Sequence, residues 1–200
     1  MAQNVLISCS CGNVRGHLSE AGPDHGDHFT CYCSDCRDFV RLMGLEERAL
    51  DDHGGVSVYQ TRVGKMSIDA GLDHLAAVHM TDKPTTRWYA SCCNTPFFNT
   101  INKAKPAFLS VVTTCLAAND TVEVLGPSRG NIFPEEADPP HPAGKSPSKF
   151  GMMLRFAPRI VKDTFGGDWR KSPLFDAETL EPIVEPRPLT QDERVRLGRG

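Results

Sequence analysis

The chain has 200 residues, 40% of them hydrophobic and 24% charged, with a formal net charge of −3. That balance supports one globular domain and excludes global disorder. Its 22 basic and 25 acidic residues form no Lys/Arg footprint of the kind that nucleic acid or an anionic membrane requires, so neither is an expected partner. With 17 glycines and 15 prolines, many turns and short elements are expected rather than a long helical bundle.

The amino-terminal stretch has no basic region and a short apolar run, Val5 to Ile7, so it does not read as a signal peptide. No later segment approaches the roughly 20 apolar residues of a membrane span. A cytoplasmic protein is the expectation. Strands are expected at 5–8, 56–61, 75–80, 86–90, 97–101, 108–112 and 121–125, short runs rich in β-branched and aromatic residues between turn formers. The stretch 22–28 reads as a turn. A helix is expected over 34–43, capped by Ser34 or Asp35, carrying Phe39, Val40 and Met43 as its apolar stripe and ended by Gly44. A further helical turn is expected over 46–50.

Composition changes near residue 126, after which come eleven of the fifteen prolines and no cysteine. Residues 134–144 read as a linker, because Pro and Gly occupy five of the positions. Beyond it, 148–165 has helical spacing interrupted by Pro158, a kinked helix or two short ones, and Thr190 caps a last short helix over 191–197. The expected organisation is a mainly β domain over residues 1–126, with 127–200 as a Pro-rich linker and carboxy-terminal extension packed on the same domain.

All eight cysteines lie between Cys9 and Cys115. In a reducing compartment, clustered cysteines are metal ligands or redox centres rather than a disulfide framework. They fall into Cys9-Ser10-Cys11-Gly12, Cys31-Tyr32-Cys33-Ser34-Asp35-Cys36 and Cys92-Cys93-Asn94-Thr95, with Cys115 apart as a small buried hydrophobe. Thiolates two residues apart on a straight strand point to opposite faces, so Cys9 and Cys11 can share an ion only if the chain bends, and Gly12 supplies the bend. Three sulfurs within six residues at the start of a helix repel one another unless a cation neutralises them, and zinc, which favours tetrahedral sulfur ligation, is the expected cation. A thioredoxin-like pair at Cys33 and Cys36 is disfavoured, because no βαβ pattern surrounds it and Cys31 makes a third thiol.

These residues, together with Arg87-Trp88-Tyr89 running into Cys93-Asn94-Thr95, resemble the family of glutathione-dependent formaldehyde-activating enzymes, which includes centromere protein V. The resemblance covers residues 5–126. It implies a β-tent of small antiparallel sheets around two zinc sites: a structural one using Cys9, Cys11 and a late Cys-x-x-Cys pair, and a second using Cys31, Cys33 and Cys36 with an open position. It further implies carbon-sulfur lyase chemistry on a glutathione-formaldehyde adduct. The chain departs from the family pattern at the late pair, where Ala90 stands in place of the first cysteine, Cys93 in place of the second and Asn94 in place of a glycine. Either Cys92 shifts to supply the missing ligand, or three sulfurs take water or another side chain as fourth, or the site has lost zinc.

At the second site, an open position would let a substrate thiol enter, lose its proton and attack an aldehyde carbonyl. The competing reading is a closed site completed by His25 or His28. Asn94, Thr95 and Asn99 are candidate contacts for a peptide-like thiol such as glutathione, although they are also ordinary turn residues. Trp88 and Tyr89 read as core packing, and His53, His74, His79 and His141 as isolated surface or core histidines. The alternative to an enzyme is a non-catalytic zinc module that binds a thiol or a protein partner through the carboxy-terminal extension.

Overall fold

The computed structural model describes residues 2–117, 121–140 and 146–199; His141 and the end of the expected 134–144 linker lie outside them. The chain is mainly β. Its strands are β1 (Gln3–Ser8), β2 (Arg15–Ala21), β3 (Asp27–Cys31), β4 (Val56–Arg62), β5 (Met66–Ala70), β6 (Leu75–His79), β7 (Thr85–Ala90), β8 (Thr95–Ile101), β9 (Phe108–Val112), β10 (Asn131–Ile132) and β11 (Arg187–Pro188). The helices are α1 (Ser34–Met43), α2 (Glu46–Ala49), α3 (Thr121–Leu125), α4 (Lys149–Gly166) and α5 (Gln191–Arg196).

Two sheets result, a three-stranded one ordered β1-β2-β5 and an eight-stranded one ordered β10-β3-β4-β9-β8-β7-β6-β11. Alternation along the strands of the large sheet sorts its two faces. On β9, Leu109 and Val111 face the main core with Val5, Ile7 and Leu18 of the small sheet, while Val112 faces a second cluster with Phe29, Val56, Val58 and Val40 of α1. Farther along that second face, Val78 packs against Phe39, Leu42 and Met43 of α1. The large sheet therefore carries the small sheet on one face and α1 on the other.

Both edges of the large sheet are covered by the carboxy-terminal part. β10 pairs in parallel with β3 and β11 in parallel with β6, so neither edge offers a long unpaired ladder. Trp169, Leu174 and Phe175 lie in the main core, and Arg199 reaches back to Asp35 and Asp38 of α1 at 2.9 and 2.6 Å. Trp169→Ala is accordingly expected to cost about 3–5 kcal/mol, the range for emptying a buried aromatic site. Urea denaturation checks this, and a loss below about 1 kcal/mol, the scale of surface substitutions, would show the extension to be peripheral to the core.

Several elements differ from the sequence expectation. Residues 121–125 form α3 rather than a strand: only Leu125 is buried, Val122 is exposed, and a strand needs a free edge to pair with. β2, β3 and β5 were absent from the expected strands because their residues are largely polar. The middle of the small sheet needs Gly16, where a Cβ would meet the Ser67 carbonyl oxygen. The stretch read as a turn over 22–28 runs into β3 at Asp27. α4 continues through Pro158, which sits on its exposed side where the Leu154 carbonyl can bond water instead. Thr190 caps α5 in a capping box with Glu193.

Candidate metal centres

The first centre joins two turns. Cys9 and Cys11 leave β1 in a tight loop in which Gly12 donates to the Cys9 carbonyl at 3.0 Å and holds φ at 77°. The Val14 N–H donates to Cys9 Sγ at 3.3 Å. Opposite, the β7–β8 hairpin turns through Cys92, Cys93 and Asn94, with Asn94 at φ 57°, the left-handed position for which Asn is better suited than most residues. Cys92 is thereby brought in beside Cys93, and the sulfurs of Cys9, Cys11, Cys92 and Cys93 all lie within 4.8 Å of one another. Sulfur separations of 3.5 Å for Cys9–Cys11, 3.9 Å for Cys9–Cys92 and 3.3 Å for Cys11–Cys92 compare with about 3.8 Å along the edge of a tetrahedron with zinc-sulfur bonds of about 2.3 Å. The four sulfurs fit one tetrahedral ion, and of the routes left open at Ala90 the geometry follows the shift of Cys92.

Thr95 binds the two turns together. Its hydroxyl accepts from the Ser10 N–H at 2.9 Å and lies 3.2 Å from Cys93 Sγ. Burial opposes ionisation of Cys93, but hydrogen bonds from Thr95 and from backbone amides outweigh it and bring that thiol down to about 6. Cys92 is pushed up to about 12 by desolvation among the other sulfurs and by hydrogen bonds to Cys11 and Cys9. Asn94 is exposed in the turn, whereas Asn99 lies buried in the middle of β8, four residues beyond Thr95. Asn94, Thr95 and Asn99 are thus not gathered into one pocket. Thr95 acts as a bracket for the cysteine turns.

The second centre sits where β3 meets α1. Cys31 ends the strand, Cys33 occupies the N-cap position with extended φ of −61° and ψ of 143°, and Cys36 lies in the first helical turn. Neither Ser34 nor Asp35 caps the helix. The Ser34 N–H donates instead to Glu136 Oε2 at 2.8 Å, a carboxylate from the carboxy-terminal part that no local signal in the sequence identifies. Cys31 and Cys33 sulfurs stand 3.5 Å apart, and the three sulfurs lie within 4.8 Å of one another. Cys31 and Cys36 are buried and Cys33 is partly exposed.

No histidine or carboxylate among the described residues joins these three sulfurs. His28 points to the other side of β3, its ring nitrogens bonded to the Gly126 carbonyl at 3.1 Å and the Ser57 hydroxyl at 2.9 Å, and His25 faces Glu20. The closed site completed by a histidine is overturned, because alternation along β3 puts His28 opposite Cys31. Among the described residues, three sulfur donors are left to that centre.

Beneath the sulfurs lies Arg87, buried on β7, whose Nη1 donates to Cys36 Sγ at 3.3 Å. On the same sheet face Arg87 pairs in register with Asn99, which in turn pairs with Ser110. Hydrogen bonds from Cys31 and Cys33, together with the Arg87 charge, hold the Cys36 thiol well below its usual range. Cys31 is raised by its hydrogen bonds with Cys33 and Cys36. For Cys33, the Cys31 hydrogen bond pulls downward, but Cys36 and burial outweigh it and leave the thiol at about 11. Three thiolates around a divalent ion would carry one net negative charge, which the Arg87 guanidinium would balance. Arg87→Met is expected to destabilise the metal-free protein by about 3–5 kcal/mol, as removal of one partner of a buried charge pair does. It should also raise the Cys36 thiol, readable as loss of thiolate absorbance near 240 nm at neutral pH; unchanged absorbance would place the thiolate elsewhere.

Fold and clusters together define a mainly β protein with two cysteine groups in metal-ligating geometry. Residues 1–185 match a family of unknown function, DUF6151, and the chain belongs to that family. Among solved structures, the chain is similar to a crystal structure of a Rhodobacter sphaeroides protein at 18% identity and a TM-score of 0.45, over 64% of this chain and 99% of that one. No curated protein matches it. Among the described residues no helix is long and apolar enough to cross a membrane.

Proposed function

We propose that the protein is a zinc-dependent enzyme of carbon-sulfur bond chemistry, acting on a small thiol such as glutathione and an aldehyde. The observation that carries the reading is the three-sulfur group of Cys31, Cys33 and Cys36, which has no fourth ligand from the described residues. Zinc at such a site would supply Lewis acidity at an open position and favour the ionised form of a thiol there. Cys31, Cys33 and Cys36 hold the ion, Arg87 balances their charge, and Glu136 fixes the start of α1 so that Cys33 and Cys36 keep their spacing. The overall reaction adds S–H across a C=O bond: a carbon-sulfur bond forms, the proton ends on oxygen, and nothing is oxidised. The four-sulfur group takes a structural zinc in this reading, joining the β1 loop to the β7–β8 hairpin.

Exchange of carbon-13 formaldehyde with glutathione, followed by NMR, tests it. The zinc-loaded protein is expected to accelerate formation and breakdown of the adduct, and Cys33→Ser to abolish the acceleration. Rates equal to the uncatalysed reaction with both zinc ions bound would remove the lyase reading. The second reading, a non-catalytic zinc module with a protein partner, is favoured by the outer face of α4, where Phe150, Met153, Leu154, Val161 and Phe165 are exposed.

A further inference from the structure

Away from the sulfurs, the same face of β3 carries a concentration of positive charge that neither cluster uses. Asp27, 1% exposed, receives three arginines from the carboxy-terminal part. Arg129 Nε lies 2.6 Å and Arg155 Nε 3.1 Å from Oδ1, and Arg159 Nη1 lies 3.1 Å from Oδ2. One carboxylate cannot balance three guanidinium groups; Arg159 also borders a hollow lined by Glu20, Asp24 and Asp163, so the uncompensated charge lies on the side of Arg129 and Arg155. Arg129 and Arg155 also donate through Nη2 to the Pro23 carbonyl at 2.7 and 3.5 Å. The remaining Nη1 of each has no acceptor among the described residues.

Arg129 and Arg155 border a cavity of about 230 Å³ whose other walls include Phe29, Pro147, Ser148 and Met152, with no acidic residue among the described residues of the lining. Phe29 and Met152 make its inner wall apolar, and both pack with the cluster that contains Cys31 and Cys36. Excess guanidinium charge beside an apolar wall matches a ligand with an oxyanion at one end and an apolar body at the other. A structural role alone, fastening α4 to β3, is satisfied by the Asp27 contacts and requires neither the surplus charge nor the acid-free apolar hollow.

We infer that this cavity is a binding site for a small organic anion, with the carboxylate or phosphate held by Arg129 and Arg155 and the apolar body against Phe29 and Met152. The site goes beyond the zinc reading and stands whether or not the cysteine centres are catalytic.

Calorimetric titration of the zinc-loaded 200-residue chain tests it with four probes: phenyl phosphate, 3-phenylpropionate, inorganic phosphate and benzyl alcohol. At least one aromatic anion is expected to bind with a Kd of roughly 1 mM or tighter, weakening as salt is raised, while inorganic phosphate and benzyl alcohol bind about tenfold more weakly or not at all. Comparison of phenyl phosphate with 3-phenylpropionate identifies the preferred head group. Arg155→Gln, at a half-exposed position, is expected to weaken the bound anion about tenfold, with Arg155→Lys intermediate and the melting temperature of the free protein little changed. Arg129→Gln is a second, independent variant. Absence of binding by both aromatic anions, inorganic phosphate binding as tightly as phenyl phosphate, or affinity indifferent to both arginine substitutions would each overturn the site.

Discussion

Two equivalents of zinc per chain are expected on the purified protein, falling to one in Cys36→Ser and to one in Cys9→Ser, with different consequences. The four sulfurs of Cys9, Cys11, Cys92 and Cys93 link the β1 loop to the β7–β8 hairpin, and Cys9 belongs to the main core. Without an ion there, the two turns would be tied chiefly by the Thr95 hydroxyl, which meets the Ser10 N–H and the Ser10 hydroxyl, each at 2.9 Å. Structural zinc contributes about 10–16 kcal/mol in isolated finger peptides, where no other core exists. Here the sheets have cores of their own, so a loss of about 5 kcal/mol is expected on Cys9→Ser, lowering the melting temperature by about 10–20 °C for a chain of this size. Cys36→Ser leaves the first centre intact and should remove activity, with a stability cost of about 3–5 kcal/mol because the buried Arg87 loses its charge partner. Elemental analysis and thermal denaturation of both variants decide the matter. Retention of two equivalents in Cys36→Ser, which leaves only two sulfurs at that centre, would show that Cys36 is not a ligand, and retention in both Cys9→Ser and Cys9→Ser/Cys11→Ser would show the same of the first group.

The second large effect is the pH dependence of loading at Cys31, Cys33 and Cys36. In the metal-free trio Cys36 is the thiolate, held there by hydrogen bonds from Cys31 and Cys33 and by Arg87. Cys33 titrates at about 11 and Cys31 is raised as well. At neutral pH two of the three sulfurs therefore still carry protons, and loading must expel both. The sign follows from this: affinity rises with pH, by about a hundredfold per unit around neutrality, and the dependence flattens as pH passes the Cys33 value. The double variant Cys92→Ser/Cys93→Ser, which leaves the first group only two sulfurs, confines loading to this centre. Calorimetry of that variant in buffers of different ionisation enthalpy should count about two protons released per zinc. A count near zero would mean that the trio is already fully ionised without metal.

The chemistry of the centres was legible in the sequence to the extent that local spacing encodes it. Cys31, Cys33 and Cys36 are close in the chain and straddle a strand-to-helix junction, so their convergence needs only that junction to form. Cys9 and Cys11 needed a bend, and Gly12 stands where the bend occurs. The pairing of Cys92 with Cys93 was open at the sequence level, because adjacent residues share an ion only if the hairpin turns in a particular way. That turn depends on Asn94 accepting a left-handed backbone and on Thr95 reaching Ser10. Thr95 and Asn99 looked alike as polar residues near a candidate site. Their difference comes from strand register, which puts Thr95 at the hairpin end and Asn99 beside Arg87.

By itself the sequence determined the mainly β class, the three local cysteine clusters and the Thr190-capped last helix, since each rests on propensities and spacings within a few residues. Tertiary structure alone decided the rest. Asp27, a polar residue read as part of a turn, lies in a strand because arginines about a hundred residues later neutralise it. Residues 121–125 have strand propensity but form a helical turn with one buried side chain. Glu136 caps α1, and Arg87 reaches Cys36, across long stretches of chain. Each case turns on which charge or hydrogen-bonding group meets another after the sheets assemble, and local sequence carries no record of that meeting because its energy arises only on burial.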